Sequence, residues 1–110
     1  MNTVADKFGP LRKGLLELVV LRVVAKHQVY AADILAALQK TDFATGEGTL
    51  YPLLSRLRRD KRVEYEWVES EAGPPRKYYS LTDTGKKHLQ ELNTYWEHLH
   101  TSIEKIGSTK

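Results

Sequence analysis

The sequence predicts a mainly α fold that carries one small β-hairpin and ends in a long helix. Three observations predict it. Leu50, Leu53, Leu54 and Leu57 stand at i, i+3, i+4 and i+7, the spacing that lines four side chains along one stripe of a helix. Just beyond them Val63, Tyr65 and Trp67 alternate with Glu64 and Glu66, the period of a half-buried strand. Near the C-terminus Leu89, Leu92, Trp96, Leu99, Ile103 and Ile106 recur at spacings of 3, 4, 3, 4 and 3, a heptad seam that wants a partner.

Each element follows in chain order. Pro10 opens a first helix from Leu11 to about His27, apolar on nearly every side of the wheel (Leu15, Leu16, Leu18 to Leu21, Val23, Val24) and so buried on most of them. Its valine run would suit a strand, but the length of the segment favours helix. A second, shorter helix fits Tyr30 to Lys40, with Tyr30, Ile34, Leu35 and Leu38 on one face. The third is expected to start at Thr45 as N-cap and to run to about Lys61. Pro52 inside it predicts a kink or a later start, and Gly48, four residues before, spares the crowding a side chain would add. The strand at Val63, Tyr65 and Trp67 is followed by the turn formers Ser70 to Pro75 and by a second strand from Arg76 to Leu81. Thr82 then caps the final helix, which Gly107 ends before a frayed tail. Its seam is open to two partners, a second chain or the first helix of its own chain.

Composition limits what such a fold can do. The 110 residues make one structural unit, with 41% hydrophobic and 28% charged residues, outside the range of disordered chains. No apolar run approaches the roughly 20 residues of a membrane span, so no membrane partner is expected. Met1 to Lys7 holds no apolar signal region, which leads to the expectation of a cytoplasmic location. There is no cysteine, which excludes disulfides, thiolate nucleophiles and cysteine-ligated metals together. The histidines are His27, His88, His98 and His100; His98 and His100 point about 200° apart on a helix and cannot share a metal ion. No metalloprotease, serine-hydrolase, phosphate-loop or dinucleotide signature occurs, so neither a catalytic residue nor a cofactor is expected.

Charge is concentrated in one place. From Ser55 to Arg62 five cations (Arg56, Arg58, Arg59, Lys61, Arg62) face a single Asp60, while the whole chain carries +3, leaving the remainder slightly acidic. If the leucine stripe faces the core, the other side of the third helix shows Gly48, Tyr51, Pro52, Ser55, Arg56, Arg59 and Arg62 to solvent. Three helices followed by a hairpin is the winged helix-turn-helix plan, in which the third helix enters the major groove of double-stranded DNA and the wing reaches a neighbouring groove or backbone. Arg76 and Lys77 give that wing its own charge. Gly48, Thr49, Tyr51 and Pro52, early in the helix, are the expected base-edge contacts; Arg59 and Arg62 are expected on phosphates, and Ser55 and Arg56 suit either role. Residues 1–81 would form the DNA-binding domain and residues 82–110 the C-terminal helix, to which the family resemblance described next assigns dimerisation.

These residues also carry a family resemblance. Lys13-Gly14-Leu15-Leu16-Glu17-Leu18, Gly48-Thr49-Leu50-Tyr51-Pro52 with Leu54 and Arg56-Leu57, Trp67, and Gly73-Pro74-Pro75-Arg76-Lys77-Tyr78-Tyr79-Ser80-Leu81-Thr82 with Gly85 resemble the PadR family of bacterial transcriptional regulators, from about residue 12 to residue 100. The resemblance implies a homodimeric winged-helix repressor on a pseudo-palindromic operator, with the last helix as dimer seam. The short C-terminal region resembles the small subfamily, several members of which sense aromatic or cationic compounds. It thereby marks Trp96, with Leu92, Leu99 and His100, as an effector site for a planar aromatic or cationic small molecule, where stacking and cation-π attraction would act. The chain departs from the family in two places. Asp60-Lys61-Arg62 stands where a glycine usually follows the third helix, so the turn is expected to differ locally, and Tyr30-Ala31-Ala32 replaces Tyr-Gly-Tyr. Two other functions fit the same residues: a winged helix recruited to bind proteins, and a multidrug-binding protein whose action on DNA is secondary.

Overall fold

The computed structural model describes residues 7–108; residues 1–6, where the signal-region expectation and the start of the 1–81 domain fall, and Thr109 and Lys110 of the tail lie outside them. Among the described residues seven elements follow one another: α1 (Gly9–Lys26), β1 (Val29–Tyr30), α2 (Ala31–Gln39), α3 (Glu47–Arg59), β2 (Val63–Ser70), β3 (Gly73–Leu81) and α4 (Asp83–Gly107). Three helices and a hairpin thus come in the predicted order.

Leu21 and Val20 of α1, Ile34 of α2 and Leu50, Leu54 and Leu57 of α3 meet in one core with Val29, Val63, Tyr79 and Leu81 of the sheet. Three of the four stripe leucines are within 1% of full burial, and Leu53 packs at the margin. Burying each such side chain stabilises the fold by about 1.5–3 kcal/mol, which fixes the rotation of α3 about its axis.

The sheet has three strands in the order β1-β3-β2, all antiparallel. Strand β1, absent from the sequence reading, adds Val29 opposite Tyr79 and Tyr30 opposite Tyr78. Two residues are too few to show alternation. The wing turn is also tighter than predicted: Ser70 already pairs with Gly73, so Pro74 and Pro75 lie within β3. Proline is tolerated there because β1 pairs only as far as Tyr78, leaving that edge of β3 open at the wing tip.

The helix boundaries bring two further corrections. Gly46, not Thr45, is the N-cap of α3, and the helix runs unbroken through Pro52. Proline removes only the hydrogen bond to the Gly48 carbonyl, at an exposed position where water can replace it. A Cβ on Gly48 would touch nothing within 4 Å, so crowding against Pro52 does not explain that glycine. At its other end α3 closes in a Schellman turn. The Arg62 N–H donates to the Leu57 carbonyl and the Lys61 N–H to the Arg58 carbonyl, both at 2.9 Å, with Lys61 in the left-handed region at φ 61°. The turn usual for glycine is therefore kept with lysine in it.

Thr82 caps α4 as predicted, its Oγ accepting from the Gly85 N–H at 2.9 Å and donating to the Lys61 carbonyl at 2.6 Å. The contacts Glu17 to His88 and Arg22 to Asn93 show that α1 and α4 run in the same direction. The seam divides along its length. Leu89 is buried in the core of its own chain and is not free for a second one, and Leu92 and Trp96 are half-buried against that core. Leu99, Ile103 and Ile106 are 40%, 63% and 74% exposed. Of the two alternatives left open by the heptad, α1 takes the first half, while Leu99 and Ile103 of the second half stay exposed among the described residues.

Candidate nucleic-acid interface

With its leucines inward, α3 presents Gly48, Thr49, Tyr51, Pro52, Ser55, Arg56 and Arg59 as exposed residues. Across from it stands the wing, and a cleft of about 570 Å³ separates the two. Tyr51 and Ser55 of α3 and Arg76 and Lys77 of β3 share its walls, so four of the residues singled out from sequence are brought together. Aromatic rings hold the cations of the wing: the Arg76 guanidinium lies 5.4 Å from the centre of the Tyr30 ring, and Lys77 Nζ lies 4.6 Å from that of Tyr65 and 5.5 Å from that of Trp67. Such contacts orient a cation without neutralising it, leaving its full charge for an anion. Arg58, on the flank of α3, is drawn in the same way over Tyr65 at 4.6 Å.

Thr49 faces another way. With Thr45 it borders a smaller hollow of about 260 Å³ whose other wall is Arg12 and Lys13 of α1. A second basic element therefore flanks the N-terminal end of α3, lining a hollow distinct from the wing cleft.

Arg62 needs a correction. It was expected on the outer face of the third helix, but α3 ends at Arg59 and the Schellman turn carries Arg62 back towards α1 and α4. Its guanidinium lies 3.6 Å from Glu17 Oε2 and touches His88 Nε2. Arg56 remains exposed, but its Nη2 donates to Glu17 Oε1 at 2.8 Å, with Asp60 3.9 Å from Nη1. His88 Nε2 lies 2.9 Å from Glu17 Oε2. A ring nitrogen carries either a hydrogen or a lone pair, so His88 Nε2 can donate to Glu17 or accept from Arg62 but not both at once. Burial pushes the Glu17 carboxyl up, yet the hydrogen bonds and positive charges of Arg56 and His88 outweigh it and hold the pKa below the ordinary 4.5. Of the α3 arginines, Arg59 alone has neither an ion pair nor a ring contact among the described residues.

Sequence reasoning missed Glu17, Tyr30 and Trp67. Alternation placed Trp67 on the face of Val63 and Tyr65, and burial does fall along that face, from buried Val63 through half-buried Tyr65 to Trp67 at 61% exposure. The hairpin simply outruns the core. Tyr78 stacks on Tyr30 at 4.7 Å between ring centres while Tyr79 is buried, so the two tyrosines split between surface and core as their positions on the strand suggest. At the proposed effector position the Trp96 and His100 rings are 5.9 Å apart on one side of α4. Among the described residues no three histidine or acidic side chains are grouped to hold a metal, and no helix is long and apolar enough to cross a membrane.

Comparison with known proteins gives a consistent result. Residues 20–91 match the family described as Transcriptional regulator PadR-like family. Among solved structures the chain is similar to a PadR-like transcription factor from Bacteroides fragilis, with 44% identity, a TM-score of 0.78 and coverage of 92% of this chain and 98% of the other. A PadR-like transcriptional regulator from Bacillus cereus is 32% identical, with a TM-score of 0.82 and coverage of 92% and 99%. A PadR family transcriptional regulator from Eggerthella lenta is 30% identical, with a TM-score of 0.86 and coverage of 97% and 94%.

Proposed function

This chain belongs to the PadR-like family of DNA-binding transcriptional regulators, which are not enzymes, and from that premise we propose that it is a homodimeric, sequence-specific repressor acting in the cytoplasm. One observation carries the DNA surface: Tyr51 and Ser55 on the outer side of α3 and Arg76 and Lys77 on the wing line the same cleft. Gly48, Thr49 and Pro52 stand at the leading end of α3, where a bare backbone and short side chains approach base edges, and Arg59 lies one turn on from Ser55, in reach of the phosphate backbone. Residues 1–81 act as the DNA-binding domain and residues 82–110 as the dimerisation arm.

Two exposed apolar patches among the described residues support the homodimer. Phe8 and Leu11, 51% and 66% exposed, lie at the start of α1, while Leu99 and Ile103, 40% and 63% exposed, lie towards the far end of α4. Since α1 and α4 run in parallel, the patches sit at opposite ends of the molecule, an arrangement that a two-fold pairing can close reciprocally. Trp96, Leu92, Leu99 and His100, where covered seam gives way to uncovered seam, would receive a planar aromatic or cationic effector that relieves repression.

Selection of bound fragments from genomic DNA tests the proposal. A two-fold protein enriches one pseudo-palindromic sequence, and Ile103→Glu, placing a charge in the seam, abolishes the enrichment together with the dimer seen in sedimentation. Recovery of no common sequence by a folded protein would contradict it.

A further inference from the structure

The carboxylate of Glu17 faces two arginines of the most basic segment, and the inference drawn from this rests on the DNA-binding function proposed above. We propose that Glu17 is a positioning residue that competes with DNA phosphates for Arg56 and Arg62, so that the protein grips a duplex by exchanging one carboxylate for phosphates.

Three observations lead there. The segment richest in cations has two of them already facing an acid: Arg56 at 2.8 Å and Arg62 at 3.6 Å from the two oxygens of Glu17. Arg56 sits on the outer side of the pair, its side chain 45% exposed against 22% for Glu17, while Arg62, turned back towards α1 and α4, is 30% exposed. A phosphate approaching α3 therefore meets the guanidinium first, and a guanidinium takes carboxylate and phosphate in the same forked geometry. Finally, the acid is not stranded when an arginine leaves, because His88 of α4 remains 2.9 Å from Oε2. That last contact sets Glu17 apart from an ordinary surface ion pair of two mobile chains, in which neither end is fixed. Glu17 is held from α4 and half-buried on α1, and it restrains Arg56, which extends towards solvent, together with Arg62 at the turn behind it. It lowers the attraction of the recognition segment for any duplex and leaves discrimination to the residues at the front of α3.

The test measures binding of a labelled random-sequence DNA duplex by the full-length protein across a series of potassium chloride concentrations. Glu17→Gln keeps the shape and drops the charge. It should bind about twofold to fivefold more tightly, the size of a part-exposed ion pair expressed as a binding ratio, with the log–log salt slope unchanged, because the same arginines reach phosphates in both proteins. In an Arg56→Ala/Arg62→Ala background the same change should leave the affinity unaltered, whereas a merely structural role for Glu17 would still alter it. In the wild-type protein, carbon-detected NMR titration of the Glu17 carboxyl should show its pKa rising when duplex is added, a reading that needs no variant to fold. Unchanged or weaker binding by folded Glu17→Gln, or a Glu17 pKa unmoved by duplex, overturns the inference while leaving DNA binding intact. Wild-type protein that shows no salt-dependent binding at all overturns the DNA-binding function itself.

Discussion

The carbonyl oxygen of Arg62 occupies the place where a side chain on Gly85 would begin: a Cβ built there lies 1.8 Å from it. This single approach joins the turn after α3 to the first turn of α4, and the Arg62 carbonyl also accepts the Thr82 N–H at 3.2 Å. Gly85→Ala cannot be absorbed by a side-chain rotation, because backbone stands on both sides. It should cost about 3 kcal/mol or more, read as a lower urea midpoint with unchanged slope. Gly14→Ala, at a helical position with nothing within 4 Å, should instead add about 0.8–1 kcal/mol.

Lys61 supplies the opposite sign. It holds φ 61° at the position where a Schellman turn favours glycine, and a side chain in that region costs on the order of 1 kcal/mol. Glycine also gains freedom in the unfolded chain, which takes back part of the benefit. Lys61→Gly should therefore raise stability by about 0.5 kcal/mol, a small upward shift of the thermal midpoint. A loss of stability would mean that the lysine side chain, not the turn, matters at this position.

Glu17 determines part of the acid response. Its pKa is lowered in the folded protein, with the hydrogen bonds and charges of Arg56 and His88 outweighing the opposing effect of burial. The sign follows from linkage: the folded state then binds its proton less readily than the unfolded chain, so the contribution is fully present above the ordinary 4.5 and is lost as pH falls through the lowered value. Denaturation followed from neutral pH to below this range should show a shallower loss of stability in Glu17→Gln than in wild type. Parallel curves would remove Glu17 from the acid response.

How far these features were legible in the sequence depends on how local their signal is. The stripe of Leu50, Leu54 and Leu57 and the alternation of Val63 and Tyr65 are periodic, so they reported both the element and the face it buries. Strand β1, with two residues, is shorter than any period and exists because β3 lies beside it. The exposure of Trp67 depends on how far the hairpin extends beyond the body, which alternation does not express. Arg56 and Glu17 are 39 residues apart, and no pattern along the chain announces that α1 brings an acid to the flank of α3. Arg62 was assigned to the helix face by extending the period past Asp60, and the left-handed Lys61 is what ended that period.

The central claim is that α3 and the wing bind one duplex together. Duplex binding measured against salt for wild type, Arg59→Ala, Lys77→Ala and the double variant tests it most directly. Each single change should reduce the steepness of the log–log slope by about 0.9, and the double change by about twice that, with folding by circular dichroism unaltered. A slope identical in all four proteins would contradict the claim, for it would place the phosphates somewhere other than this helix and this hairpin.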